Sequence, residues 1–158
     1  MAHPFIEHLK KDHVKQREMG QRLREAQSEI ERKQAWEEFF MELYPHLYGE
    51  EASIFDYLLS KGGTARVRAN EALQEHYVDR ILMREINELN LDGETFHAKA
   101  YVLTKVNQVH LDEEERVHFP LLEELATPKE MDELFNKKYE RREEEVKGEA
   151  RAMLIRGK

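Results

Sequence analysis

No cysteine occurs among the 158 residues of the chain. Its absence excludes disulfides, thiol nucleophiles, thiolate zinc sites and cysteine-ligated iron–sulfur clusters, so any metal must be held by imidazole and carboxylate. Positive charge is also short, with 25 Lys plus Arg against 33 Asp plus Glu for a net charge of −8. The basic residues are interleaved with acids, as in Arg141-Arg142-Glu143-Glu144-Glu145, which is not the clustered phosphate-neutralising surface that nucleic acid demands. No stretch approaches the ~18 apolar residues of a membrane span. Met1-Ala2-His3-Pro4-Phe5 lacks a basic start followed by an apolar core. The expectation is a cytoplasmic protein with neither nucleic-acid nor membrane partner. Aromatic residues make up 9% and charged residues 37%, a balance suited to amphipathic helices with wet outer faces.

Only seven Gly and four Pro punctuate the chain, and they mark its turns. Gly62-Gly63-Thr64 and Asp92-Gly93 are breaks. Thr127-Pro128-Lys129-Glu130 reads as a helix start, with Thr as N-cap, Pro at the first position and Glu placed for a capping box. Between the breaks, apolar residues recur at helical spacing. Phe5, Ile6, Leu9, Leu23 and Ile30 mark a first helix, and Trp36, Phe39, Phe40, Leu43, Leu47, Ile54 and Leu58 a second. Leu73, Val78, Ile81, Leu82, Ile86 and Leu89 mark a third, and Phe96, Leu103, Val106, Val109, Val117 and Leu121 a fourth. Short connections force antiparallel neighbours, so the pattern predicts an all-α, up-down-up-down four-helix bundle with an additional C-terminal helix. The bundle spans residues 1–126. Residues 127–158 form the extra helix and charged tail of the same domain, with Met131, Leu134, Phe135 and Tyr139 on one stripe before the segment dissolves into charge. That helix also offers a surface for a homodimer.

Histidine is plentiful where cysteine is absent: eight occur, at positions 3, 8, 13, 46, 76, 97, 110 and 118. Two segments echo each other, His46-Leu47-Tyr48-Gly49-Glu50-Glu51-Ala52-Ser53-Ile54-Phe55 and His110-Leu111-Asp112-Glu113-Glu114-Glu115-Arg116-Val117-His118-Phe119, both fitting HLxxEExxxF. A spacing of four places each imidazole and the first Glu on one helix face. The second Glu, rotated by about 100°, is expected to face solvent. Ligands at one height on antiparallel helices are equidistant from the turn between them. With His13 and His76 as the contributions of the first and third helices, the implied turns fall at about residues 30, 62 and 94. Gly62-Gly63 and Asp92-Gly93-Glu94 match two of these, and Ser28-Glu29-Ile30-Glu31, with Ser as N-cap, matches the third.

Four imidazoles and two carboxylates exceed a single tetrahedral site and suit two metal ions, each held by two His, with Glu50 and Glu114 available to bridge. Iron, manganese and zinc all fit such a donor set. Asp12-His13, His46 with Glu50, Glu75-His76 and His110 with Glu114 resemble the hemerythrin-like HHE cation-binding family over about Leu9 to Leu125. The resemblance implies a non-haem di-iron centre, oxo- or hydroxo-bridged, in a four-helix bundle. It implies His13, His46, His76 and His110 as nitrogen ligands, with Glu50 and Glu114 as bridging carboxylates. Family functions include oxygen binding, oxygen or iron sensing, and defence against nitric oxide or peroxide. Oxygen-carrying members have a second His four residues after that of the third helix and an Asp five residues after that of the fourth. Here those positions are Arg80 and Glu115. The expected role is therefore binding or sensing oxygen or a related small diatomic, with a di-iron enzyme reducing peroxide or nitric oxide, or an iron store, as alternatives.

His3, His8, His97 and His118 are expected at the surface, His118 because two turns beyond His110 it is rotated by about 80°. Gly20, on the His13 face, reads as a point of close helix packing or as space for a small ligand. Tyr44, Tyr48, Tyr77 and Tyr101 lie near ligand height, where a hydroxyl could meet a bound oxygen species.

Overall fold

The computed structural model describes residues 2–91 and 93–156, and among them every regular element is helical. Helix α1 is Pro4–Glu25. Helix α2 covers 29–61, with a π-helical stretch at Glu51–Phe55, and α3 is Gly63–Asn87. Helix α4 covers 94–125, with a π-helical stretch at Glu114–His118, and α5 covers 128–156, with another at Leu134–Tyr139. None is long and apolar enough to cross a membrane.

The turns follow local chemistry. The Ser28 hydroxyl accepts from the Glu31 N–H at 3.2 Å while the Glu31 carboxylate accepts from the Ser28 N–H, closing a capping box. Thr127 and Glu130 repeat the arrangement at the start of α5. Gly62 and Gly63 adopt φ of 70° and 53°, a region that side chains disfavour, and so turn α2 into α3 within a residue. Gly93 caps α4, whereas Asp92 of the expected Asp92-Gly93 turn lies outside the described residues.

Two apolar clusters fill the bundle. One holds Phe5, Leu9, Ile54, Phe55, Ala69, Phe119 and Leu122, and the other Leu23, Trp36, Phe39, Phe40, Leu43, Met83, Phe96 and Leu103. Between them lies a layer of buried polar side chains.

Several expectations shift. Ile30 belongs to α2 and is 79% exposed, and Val78 and Val109 also face outward. The buried stripe of α3 is Ala65, Ala69, Ala72, His76, Asp79, Met83 and Ile86. His76, Asp79 and small residues occupy the inner face there, so large hydrophobics alone point to a neighbouring face. The C-terminal segment does not dissolve into charge after Tyr139. It continues as helix to Arg156 along α2, burying Val146 and Ala150 beneath its charged outer face.

Candidate metal centre

His13, His46, Glu50, His76, His110 and Glu114 all lie in the polar layer, each at most 1% exposed. Facing atoms of His13, His46, Glu50 and Glu114 lie within 4.8 Å of one another, and so do those of Glu50, His76 and His110. Glu50 belongs to both groups. His46 Nε2 is 3.1 Å and His76 Nε2 3.6 Å from Glu50 Oε1. His110 Nε2 is 3.0 Å and His13 Nε2 3.7 Å from Glu114 Oε1. His76 and His110 face each other with Nε2 atoms 2.9 Å apart.

Each outer ring nitrogen faces a carboxylate, three of them in hydrogen bonds and His110 Nδ1 at ion-pair distance only. His13 Nδ1 is 2.9 Å from Glu115, His46 Nδ1 3.4 Å from Asp12, His76 Nδ1 3.1 Å from Glu51 and His110 Nδ1 3.4 Å from Glu75. A carboxylate at Nδ1 fixes the tautomer and turns Nε2 toward a metal. This corrects the expectation that the second Glu of each pair faces solvent. Glu51 and Glu115 lean sideways onto His76 of α3 and His13 of α1. Arg80 ion-pairs with Glu51 and stacks over Tyr48 at 5.3 Å, while Arg17 ion-pairs with Glu115 at 3.1 Å.

Tyr139 of α5 was missed as a site residue. It is fully buried, and its hydroxyl lies 2.9 Å from His46 Nδ1, 3.1 Å from Asp12 and 3.0 Å from Glu143. Gly49 makes room for the ring, since a Cβ there would lie 2.7 Å from it. Of the tyrosines marked by height, Tyr77 and Tyr101 are more than half exposed, and Tyr44 and Tyr48 pair hydroxyl to hydroxyl at 3.4 Å. Gly20 packs closely, a Cβ there meeting Thr104 at 3.3 Å and Phe39 at 3.6 Å, and it also lines a pocket with Gln16, Thr104 and Asn107.

His118 corrects a second expectation. His97 is exposed, and His3 and His8 are partly exposed, but His118 is buried. An α-helix throughout would leave the ring about 80° from His110, whereas the π-helical turn Glu114–His118 holds more residues per turn and swings it inward. Asp79 is a further buried group without a partner among the described residues for either oxygen, and burial raises its carboxyl to about 7.

Burial pushes His13 and His76 down to about 4, against the pull of Glu114 on the first and Glu51 on the second. Burial opposes protonation of His46 and His110 as well, yet Glu50 beside the one and Glu114 beside the other hold both well above the usual imidazole value. Burial and the neighbouring Glu114 raise Glu50 to about 8. Burial acts upward on Glu114 too, but His110 keeps it well below the usual carboxylate range. His13 Nε2, His46 Nε2 and all four oxygens of Glu50 and Glu114 have no hydrogen-bond partner among the described residues. Such a set is costly alone and suits cations.

The sequence profile of the Hemerythrin HHE cation binding domain matches residues 5–122. The chain belongs to the hemerythrin HHE family. No curated protein and no solved structure matches it. Tyr139 and the rest of α5 lie beyond the matched hemerythrin region, so this HHE domain completes the surroundings of His46 with a helix from outside that region. Arg80 pairs with Glu51, which in turn contacts His76.

Proposed function

We propose that this HHE domain binds two iron ions and uses them to capture or sense oxygen or a related small diatomic. The observation that carries the reading is the pair of buried donor groups sharing Glu50. His13, His46, Glu50 and Glu114 would hold one ion, and Glu50, His76 and His110 the other, with Glu114 reaching the second through its place beside His110. The donor set is all nitrogen and oxygen, which suits iron and also admits zinc or manganese. An iron pair would supply two electrons for reversible capture of oxygen. The protein supplies a dry apolar surround, imidazoles locked by outer carboxylates, and carboxylates able to shift between ions.

Elemental analysis of protein purified without chelators should give two irons per chain. Cycling the iron-loaded protein between anaerobic and aerobic buffer should raise and remove a visible charge-transfer band, and His110→Ala should abolish it. An unchanged spectrum on cycling, or a band surviving in His110→Ala, refutes the reading. The three-donor group at His76 and His110 also favours a second reading, a di-iron enzyme reducing peroxide or nitric oxide at the vacant coordination positions. Steady-state turnover with an added reductant distinguishes it from reversible binding.

A further inference from the structure

The echo between α2 and α4 makes their differences informative. At equal offsets the two helices match at His46 and His110, Glu50 and Glu114, Glu51 and Glu115, and Phe55 and Phe119. Of the echoed positions buried on both helices, they part only at Ile54 and His118. Ile54 is an ordinary fully buried apolar residue. His118 is 1% exposed, and neither ring nitrogen has a hydrogen-bond partner among the described residues. Leaving such a group unsatisfied is costly, so its retention calls for a partner that arrives with a ligand.

Its position says where that partner sits. The His118 ring centroid is 6.5 Å from that of His110, and the ring meets Phe55 edge-on at 5.6 Å. Phe55 also packs edge-on against His76 at 5.3 Å. His118 thus borders the His76 and His110 side of the layer, where the protein supplies three donors rather than four. It is not itself within either donor group. An unpaired imidazole stands next to the position with fewer protein ligands, and an inert Ile54 occupies the equivalent place on the other strand of the echo.

We propose that His118 donates a ring N–H to a two- or three-atom anionic ligand seated beside His76 and His110, making the two halves of the centre unequal and this half the one that takes the small molecule. The proposal rests on the metal-centre reading above. A neutral imidazole carries one donor and one acceptor nitrogen, and burial, working against the pull of Glu114, keeps His118 toward that neutral form.

Azide is the probe. Iron content and azide affinity, followed by visible absorption, are measured on the iron-loaded full chain for the wild type, His118→Leu and His118→Gln. All three should hold equal iron. Azide should bind roughly tenfold or more weakly to His118→Leu, the loss expected for a hydrogen bond to a charged group, with most of the affinity restored in His118→Gln. In the wild type alone, the antisymmetric stretch of bound azide should shift between H2O and D2O, a readout that does not depend on a variant folding. Unchanged azide affinity in His118→Leu, or no isotope shift in the wild type, overturns the proposal while leaving the metal centre intact. Loss of iron from His118→Leu overturns it by making His118 a metal ligand. A wild type that takes up no iron overturns both readings.

Discussion

Asp79 shows at single-residue scale how the centre tolerates groups that stability alone would reject. It is fully buried with both oxygens unpartnered among the described residues, and burial raises its carboxyl from 3.8 to about 7. A carboxyl whose folded pKa is raised contributes its full stability below the unfolded value and loses it as pH rises through the folded value. Asp79→Asn should therefore stabilise the metal-free protein by an amount that grows from pH 4 to pH 7 and then levels off. The plateau should be on the order of 2–4 kcal/mol, from ~3 pH units at 1.36 kcal/mol each. Urea unfolding of the two proteins at pH 5 and pH 8 reads this directly, and an equal difference at both pH values contradicts it. The pairing of His46 with Glu50 and of His110 with Glu114 was legible because a spacing of four on one helix is a local geometric fact. Their outer partners were not, since each Nδ1 contact crosses between helices, and the 102 residues separating His13 from Glu115 leave no trace in spacing.

At the scale of the helices, every π-helical stretch touches the centre. One follows Glu50, one begins on Glu114 and one ends on Tyr139. Extra residues per turn re-aim side chains without breaking the helix, and nothing in the residue types announces them. That is why Ser28, Gly62 and Thr127 could be assigned to turns from the chain alone, while the inward swing of His118 could not. Helix α5 depends on one small residue of α2, because Gly49 carries the Tyr139 ring against its backbone. Gly49→Ala should force the ring away, breaking its contacts to His46 and Asp12. The expected cost is about 1–3 kcal/mol, typical of overpacking, despite the better helix propensity of Ala. The check is thermal unfolding together with tyrosine fluorescence. A more stable variant with unaltered emission would mean that α5 does not need the contact.

For the molecule as a whole, the polar layer divides one apolar core into two. Cations that bind only the folded arrangement add to its stability by mass action. Stripping metal with a chelator should lower Tm by on the order of 10 °C, from ~3–4 kcal/mol at metal concentrations 100 to 1,000 times Kd. Readdition of ferrous iron should restore it, and a Tm indifferent to chelator would detach the centre from the fold. The two apolar clusters also explain why the bundle was readable despite misplaced faces such as those of Val78 and Val109: the large residues at either end carry the helical period, and only the middle is written in His, Glu and Asp.

The four outer contacts form a closed circuit, Asp12 to His46, Glu51 to His76, Glu75 to His110 and Glu115 to His13. Three of these join helices that follow one another along the chain, but the last joins α4 to α1 and spans 102 residues. Closing a long loop costs more entropy than closing a short one, so the circuit has a natural order of assembly. The His76 and His110 half can be organised by neighbouring stretches of chain, whereas the His13 half waits until the two ends of the bundle meet. The unequal donor groups are thus matched by unequal closure: the contacts around His76 and His110 join nearer stretches of chain than the contact that closes on His13.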